Sequence, residues 1–282
     1  MSEENIAAGV LGLGIIGSRV AQNLRDEGWR TFVWNRTPQD HPDVLGSPGE
    51  VAAQARILQV FVRDGEALLS VLDQMAPQLS EGHVVLNHAT VSPEATQEAA
   101  LRVGNTGAAF LDCPFTGSRD AAAAGKLNYY VGGEQAVVEQ VRGVLDASAQ
   151  TVTHLGKIGN ATVLKIATNM ISATTVAILA EALAVCEKGG VEPQQMEQAL
   201  AVNGCASGLS GMKLPTMLAA DYMPHFSLKN MLKDAEFGLA LADKGEMALP
   251  VLTSAAAAMI EQMNAGRGED DYSVVYENYR QG

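Results

Sequence analysis

The chain has 282 residues, of which 47% are hydrophobic and 18% are charged, a composition typical of a soluble globular protein with a sizeable core. This length allows one large domain or two ordinary ones. The net charge of −13 argues against non-specific binding to nucleic acid or to an anionic membrane, because both need a basic surface. We also expect no membrane span, since no uninterrupted apolar run approaches about 18–20 residues.

The cysteines and histidines further limit the disulfide and metal chemistry that we expect. Cys113, Cys186 and Cys205 are odd in number and form no C-x-x-C motif. The first residues also lack the basic and apolar regions of a signal peptide, so we expect a reducing, cytoplasmic location without disulfides. The five histidines are scattered without ligand spacing, and a metal site therefore has no support in the sequence.

The first part of the chain alternates between strand and helix patterns. Ser47-Pro48 and Ser92-Pro93 are two cap-plus-proline signals for helix starts. Further helices are predicted at 15–27 and 66–75. Strands are predicted at 6–12, 30–34, 57–62, 83–89, 108–115, 127–133 and 150–156. This alternation predicts an α/β Rossmann domain with a doubly wound, mainly parallel sheet.

The pattern changes after Gly159. Residues 160–189 remain helical without a strand break, and Gly189-Gly190 ends this long helix. All later elements are predicted to be helices, at 193–203, 210–220, 228–244 and 251–265. We therefore predict a Rossmann domain over residues 1–159 and an all-helical domain over 160–282, joined by a long interdomain helix.

The first strand runs directly into a glycine motif, Gly12-Leu13-Gly14-Ile15-Ile16-Gly17. G-x-G-x-x-G alone is weak, but here it closes a predicted strand and opens a helix, the context that dinucleotide binding requires. The first glycine permits a tight turn, the second permits close approach of a pyrophosphate, and the third permits close helix–strand packing. The alternative is a glycine-rich turn without a ligand.

The second predicted strand ends in Asn35-Arg36-Thr37, and no acid occurs between Thr31 and Gln39. An NAD site usually places a carboxylate here to accept from the ribose 2′-hydroxyl. Asn35 and Thr37 can instead donate to a phosphate, and Arg36 offers a bidentate fork. The sequence therefore favours NADP(H), with a solvated surface arginine as the alternative.

Lys165 and Asn169 are four residues apart, so they project from one face of the long helix. Their helical neighbours are largely apolar. A lone lysine in such a stretch often extends to solvent. The second polar group on the same face, directly after a nucleotide domain, favours a lysine acting as general acid and base.

The chain resembles the β-hydroxyacid dehydrogenase family, which includes 3-hydroxyisobutyrate dehydrogenases and glyoxylate/succinic semialdehyde reductases. The resemblance covers nearly the whole chain, although the helical region is far shorter than that of 6-phosphogluconate dehydrogenases. It implies that Lys165 is the catalytic lysine and that Asn169 positions the substrate. The matching segments are Val10 to Gly17, Thr90-Val91-Ser92-Pro93, Thr116-Gly117-Ser118, Lys165, Asn169 and Lys233-Asp234.

The same resemblance implies that Thr90 and Lys233 contact the cofactor and that Thr116, Gly117 and Ser118 hold a substrate carboxylate. The expected reaction is hydride transfer between NADP(H) and a small hydroxy acid or its aldehyde or keto acid partner. We also expect a homodimer or homotetramer. Phe115, Ser118 and Met170 depart from the family's usual residues, which leaves the substrate open. An imine reductase and a non-catalytic NADP-binding protein are the alternatives, and in both classes relatives usually lack the lysine.

Overall fold

Alternating strands and helices form the first part of the chain, as the hydrophobic pattern predicts. The computed structural model describes residues 7–39, 41 and 43–280, so Ile6 of the first predicted strand lies outside the described residues. The strands are β1 Ala8–Leu11, β2 Thr31–Trp34, β3 Ile57–Val60, β4 Val84–Asn87, β5 Ala109–Asp112, β6 Phe115–Thr116, β7 Leu127–Val131 and β8 Ala149–His154.

The helices of this part are α1 Gly17–Asp26, α2 Pro48–Gln54, α3 Gly65–Met75, α4 Pro93–Gly104, α5 Arg119–Ala123, α6 Gln135–Gln140 and α7 Arg142–Asp146, with a 3₁₀ turn at Ala76–Gln78. Both cap-plus-proline predictions are confirmed. The Ser47 side chain accepts from the amide of Glu50, and the Ser92 side chain accepts from the amide of Ala95. Each bond satisfies an amide that the first helical turn leaves unpaired.

Five strands form a fully parallel sheet in the order β2-β1-β3-β4-β5. One hydrophobic cluster includes Leu58 and Val85, and another includes Val10 and Leu86. Successive side chains of a strand point to opposite faces, so strands with both faces buried read as continuous apolar runs. This organisation confirms the predicted Rossmann-like fold.

The last predicted strands form a separate sheet. It has three strands in the order β6-β7-β8. Strand β6 pairs with β7 in the antiparallel direction, and β7 pairs with β8 in the parallel direction. The predicted strand at 108–115 divides into β5 and β6 around Cys113-Pro114. Proline lacks the amide hydrogen that a ladder requires, which accounts for the break that the apolar run concealed.

A helix of 29 residues, α8 Asn160–Lys188, begins where the strands end. The remaining helices are α9 Pro193–Ala201, α10 Gly208–Ala219, α11 Leu228–Lys244, α12 Pro250–Asn264 and α13 Glu277–Arg280, with a 3₁₀ helix at Tyr272–Tyr276. The compact units of the structure divide inside α8, between Lys165 and Ile166. The sequence predicted its boundary at the start of that helix, after Gly159.

The second unit, from Ile166 onward, has its own core. Side chains of α8, including Val176 and Leu183, pack there with Leu214, Leu228 and Met259 from later helices. A buried ion pair joins Lys213 and Asp271 at 2.7 Å. Asp271 also accepts from the amides of His225 and Phe226 at 3.0 and 3.2 Å. These bonds fix the segment that leads into α11.

Helix α8 corrects one expectation about membranes. By length and composition it is apolar enough to cross a bilayer, although we expected no such segment from the sequence. Small polar residues such as Thr168 and Ser172 interrupt its apolar runs, so no uninterrupted apolar run marks this helix in the sequence. Core helices of soluble proteins pass the same test. Six of its residues lie in the core of the second unit: Ala173, Val176, Leu179, Ala180, Leu183 and Ala184.

Candidate active site

The glycine motif forms the loop between β1 and α1, and steric contacts explain its first and last glycines. Gly12 has a φ of +104°, and a Cβ there would lie 2.0 Å from the carbonyl oxygen of Phe61. A Cβ at Gly17 would lie 2.0 Å from the carbonyl oxygen of Gly12. Both distances are far inside van der Waals contact, so a side chain at either position would displace the loop.

The middle of this loop is open instead of crowded. Gly14 is exposed, and an added Cβ there would meet no atom within 4 Å. Among residues 7–39, 41 and 43–280, the amides of Gly14, Ile15 and Ile16 have no hydrogen-bond acceptor. Unpaired amides at a helix N-terminus form an anion-binding site. The loop therefore fits the pyrophosphate of a dinucleotide.

The segment after β2 is tied to this loop through Asn35. The Asn35 side-chain oxygen accepts from the amide of Leu13 at 2.9 Å, and its nitrogen donates to the carbonyl of Thr37 at 2.7 Å. Asn35 therefore organises the loop with one of its two amide hydrogens still available. Arg36 and Thr37 are exposed, and Arg36 forms no ion pair within the described part of the chain. Their groups are accessible to a ligand phosphate.

A cluster of four rings lies beside the glycine loop. His88 stacks on Phe61 with ring centroids 4.3 Å apart, and it lies 5.2 Å from the ring of Tyr129. The ring of Phe115 contacts those of Phe61 and Tyr129 at 6.0 and 6.2 Å. The bulky Phe115, which departs from the family pattern, thus packs its ring against a cluster within its own unit.

His88 is fully buried, and burial lowers its pKa to about 3, so the ring is neutral near pH 7. Its Nδ1 lies 2.7 Å from the carbonyl oxygen of Cys113, and its Nε2 lies 3.0 Å from Oε1 of Gln59. A neutral ring cannot donate to both oxygens. Turning the Gln59 amide by 180° would present its nitrogen, which has no partner among the described residues, to Nε2. His88 thus has a packing role, and its low pKa disfavours it as a general acid.

The segment predicted to hold a carboxylate begins in β6 and ends at the start of α5. Gly117 has a φ of +147°, and the Ser118 hydroxyl accepts from the amide of Ala121 at 3.1 Å. Thr116 is half-buried. Within the described chain, the amides of Gly117 and Ser118 have no acceptor. The Ser118 oxygen therefore makes a capping bond that we did not predict from the sequence, and two amides remain for an anion.

Thr90 and Lys165 are two further residues that the sequence predicts to be in the site. Thr90 follows β4 and is half-buried, and Lys165 is half-buried on the second turn of α8. Both residues have interactions within the protein. Lys165 is the last residue of the first compact unit, which also carries the glycine loop and the segment at Thr116.

In the second unit, a buried carboxylate organises the other predicted residues. Asp234 is fully buried and accepts from Asn169 Nδ2 at 2.6 Å and from Lys233 Nζ at 2.7 Å. Lys233 also lies 4.9 Å from the centre of the Phe237 ring. Asp234 thus fixes both Asn169 and Lys233. The Lys-Asp pair was visible in the sequence, but its contact with Asn169, 65 residues away, depends on tertiary structure.

The described residues contain no group of three His, Cys, Asp or Glu side chains that could hold a metal ion. The glycine loop, the sheet order and the following helical unit together define a nicotinamide-dinucleotide-binding protein. The family model for the NAD binding domain of 6-phosphogluconate dehydrogenase matches residues 7–156. The model for the NAD-binding domain of NADP-dependent 3-hydroxyisobutyrate dehydrogenase matches residues 159–279.

The chain belongs to the β-hydroxyacid dehydrogenase family. It is 29% identical to glyoxylate/succinic semialdehyde reductase 1 of Arabidopsis thaliana, over 95% of this chain and 96% of that protein. It is 27% identical to the cytokine-like nuclear factor N-PAC of Mus musculus, over 96% of this chain and 50% of that protein. The fold matches Mycobacterium tuberculosis 3-hydroxyisobutyrate dehydrogenase with a TM-score of 0.88, at 22% identity and with 98% and 99% of the two chains covered.

Proposed function

We propose that this protein is an NADP-dependent oxidoreductase that interconverts a small hydroxy acid and its aldehyde or keto acid partner. The observation that carries this proposal is the open-amide glycine loop together with Lys165 in one compact unit. The relative named a glyoxylate/succinic semialdehyde reductase supports the same substrate class. Hydroxyisobutyrate-type substrates belong to this class as well.

Most residues of the proposed cofactor site belong to the first unit. The amides of Gly14, Ile15 and Ile16 hold the pyrophosphate, while Arg36 and Thr37 hold a 2′-phosphate. Leu13 and Asn35 shape that loop through their hydrogen bond. Thr90 and Lys233 are further proposed cofactor contacts. When bound, the nicotinamide supplies or accepts the hydride at the substrate carbon.

The chain's own residues supply the proton and the orientation. In reduction, the Lys165 ammonium gives a proton to the carbonyl oxygen as the carbon receives hydride, and Lys165 becomes a neutral amine. In oxidation the amine takes the hydroxyl proton. Thr116 and the amides of Gly117 and Ser118 hold the carboxylate, and Asn169, fixed by Asp234, orients the substrate.

A substrate panel tests this function directly. Short aldehyde acids, keto acids and hydroxy acids are assayed with NADPH or NADP⁺ and with NADH or NAD⁺, beside matched uncharged aldehydes and cyclic imines. We expect turnover of at least one aldehyde or keto acid with NADPH. Turnover of imines alone would identify an imine reductase, and NADPH binding without any turnover would identify a non-catalytic binding protein.

We propose further that the protein is a homo-oligomer assembled through α8. Ile171, Ile178 and Val185 are spaced by seven residues, so they share one face of the helix, and they are 66, 57 and 71% exposed. A second copy is a better occupant than a bilayer. The other face of α8 packs in a protein core, and the net charge of −13 disfavours anionic lipid.

Light scattering after gel filtration tests the assembly. Ile178→Glu should shift a dimer or tetramer toward a smaller species, whereas Val202→Glu, at an exposed site outside α8, should not. A wild-type monomer, or a protein that partitions into neutral vesicles, would contradict the homo-oligomer.

The three free cysteines, of which Cys113 is buried and Cys205 exposed, support our proposal of a reducing, cytoplasmic location.

A further inference from the structure

The carboxylate of Asp112 caps the start of the helix that carries Lys165. Asp112 is the last residue of β5 and is fully buried. Its Oδ2 accepts from the amides of Gly159 and Thr162 at 3.0 and 2.8 Å, and its Oδ1 accepts from the Thr162 hydroxyl at 2.8 Å. The three donors satisfy a carboxylate that burial would otherwise disfavour. Burial raises the pKa of Asp112, and these hydrogen bonds partly offset it.

This cap has a rigid base. The backbone amide of Asp112 donates to the carbonyl of Gly132 at 2.9 Å, and the amide of Gly132 donates back at 2.8 Å. The Thr162 hydroxyl also lies 2.9 Å from the hydroxyl of Thr96 in α4, and both threonines are buried. The first turn of α8 is therefore anchored to the parallel sheet and to a neighbouring helix.

Lys165 lies one turn after this anchor. Residues three apart are neighbours on a helix surface, so Thr162 and Lys165 lie on the same side of α8. A shift or rotation of the first turn would move the lysine by a similar amount. An ordinary N-cap would need only a side chain from the preceding residue. Here the cap instead comes from a strand whose parallel sheet also carries the glycine loop.

We propose that Asp112, through Thr162, is a positioning residue that sets where the Lys165 ammonium stands relative to the dinucleotide loop. The proposal rests on the proposed role of Lys165 as proton donor. Asp112 itself is enclosed by its donors and exchanges no proton with substrate. Thr96 provides the second, weaker anchor.

The test compares Asp112→Asn, Thr162→Val and Thr162→Ser with the wild type, and uses Asp146→Asn as a control for an exposed carboxylate. Misplacement of a catalytic group by about 1 Å can cost roughly a hundredfold in rate. We expect kcat to fall roughly ten- to a hundredfold in Asp112→Asn and Thr162→Val, with an almost unchanged KM for NADPH. Thr162→Ser retains the hydroxyl and should stay near wild type, as should Asp146→Asn.

Two readouts do not depend on turnover. Hydrogen exchange reports the amides of residues 159–165, and reductive methylation followed by mass spectrometry reports the reactivity of Lys165 relative to Lys126. In Asp112→Asn we expect faster exchange of these amides and a changed Lys165 labelling rate. If Asp112→Asn does not fold, the same two measurements are made on Thr162→Val. This variant keeps the Asp112 carboxylate and loses only the hydroxyl of Thr162.

The outcomes separate this inference from the proposed function. Faster exchange with unchanged kcat and Lys165 labelling would show that the cap is only structural and would overturn the proposal, as would unchanged exchange. A wild-type protein without turnover would refute the proposed function. In that case, altered Lys165 labelling in Asp112→Asn would still support positioning of the lysine, and unaltered labelling would overturn it.

Discussion

Two loops at the carboxyl ends of strands contain glycines at positive φ, yet different forces shape them. In the loop at Gly12 to Gly17, backbone atoms exclude any side chain at both ends. In the loop at Thr116 to Ser118, an added Cβ on Gly117 would meet mainly the flexible side chain of Leu127, at 2.7 Å. The first loop leads into a helix of ten residues and the second into one of five.

This difference bears on what each loop can bind. The first loop presents three open amides at the N-terminus of its helix, where they can bind an anion. The second loop has two open amides, but the Ser118 oxygen already caps its short helix. We infer that the glycine loop provides most of the cofactor phosphate contacts by itself. The second loop needs positive charge from elsewhere to hold a carboxylate.

The largest effect is expected for Lys165, and it tests whether proton transfer is independent of the two loops. Lys165→Ala should lower kcat by about 10²–10⁴-fold, the usual contribution of a general acid or base. NADPH affinity, measured by fluorescence titration, should remain close to wild type because the phosphate contacts are intact. Lys157→Ala, at an exposed site before α8, is the control. Near-normal turnover in folded Lys165→Ala would remove this lysine from the mechanism.

The next prediction tests the cofactor side of the comparison. Arg36→Ala should weaken NADPH binding roughly ten- to a hundredfold, because a charge-assisted hydrogen bond contributes about 1.5–3 kcal/mol. NADH binding should change little, since NADH lacks the 2′-phosphate. Arg142→Ala, which removes an exposed arginine paired with Asp146, should affect neither cofactor. Comparable use of NADH and NADPH by the wild type would contradict the assignment of Arg36.

The same contrast explains what the sequence could predict. The spacing of the glycines indicates a tight turn between a strand and a helix. The position and conformation of the glycine loop were therefore predictable from residues 6–17. The caps at Ser47 and Ser92 follow from equally local rules. The strand break at Pro114 was missed, although proline is a local signal for it. The long apolar helix at 160–188 was also evident from its uninterrupted helical pattern.

The contacts that were missed connect distant parts of the chain. Asp112 reaches Thr162 across 50 residues, and Asp234 reaches Asn169 across 65. Gln59, a polar residue inside an apolar strand, was a signal in the sequence, because a buried amide needs a partner. Its partner, His88, could not be identified without knowing that β3 and β4 are neighbours.

A smaller effect tests the substrate side of the comparison. Thr116→Val removes one hydroxyl donor and should lower kcat/KM for an aldehyde acid roughly tenfold, since each 1.4 kcal/mol corresponds to a factor of ten. The value for the matching uncharged aldehyde and the affinity for NADPH should hardly change. Thr151→Val, at an exposed threonine of β8, is the control. Equal losses on charged and uncharged aldehydes would refute a carboxylate contact at Thr116.

The smallest effect concerns the ring cluster beside the glycine loop, and it appears in acid stability. The pKa of His88 is about 3 in the folded protein because the ring is buried, and it is about 6.5 in an unfolded chain. Between these values the unfolded chain binds more protons, so stability must fall as the pH is lowered through this window. The slope from this one group is at most about 1.4 kcal/mol per pH unit.

Replacing His88 with phenylalanine keeps the stacked ring but would leave the Gln59 amide without its partner. The double variant Gln59→Leu, His88→Phe removes both polar groups, which avoids the cost of a single unpaired one. Urea unfolding between pH 7 and pH 4.5 should therefore show a flatter loss of stability for the double variant than for the wild type. Val202→Phe, at an exposed site that carries no titratable group, should retain the wild-type slope. Parallel curves for the double variant and the wild type would mean that His88 is not a buried neutral ring in the folded protein.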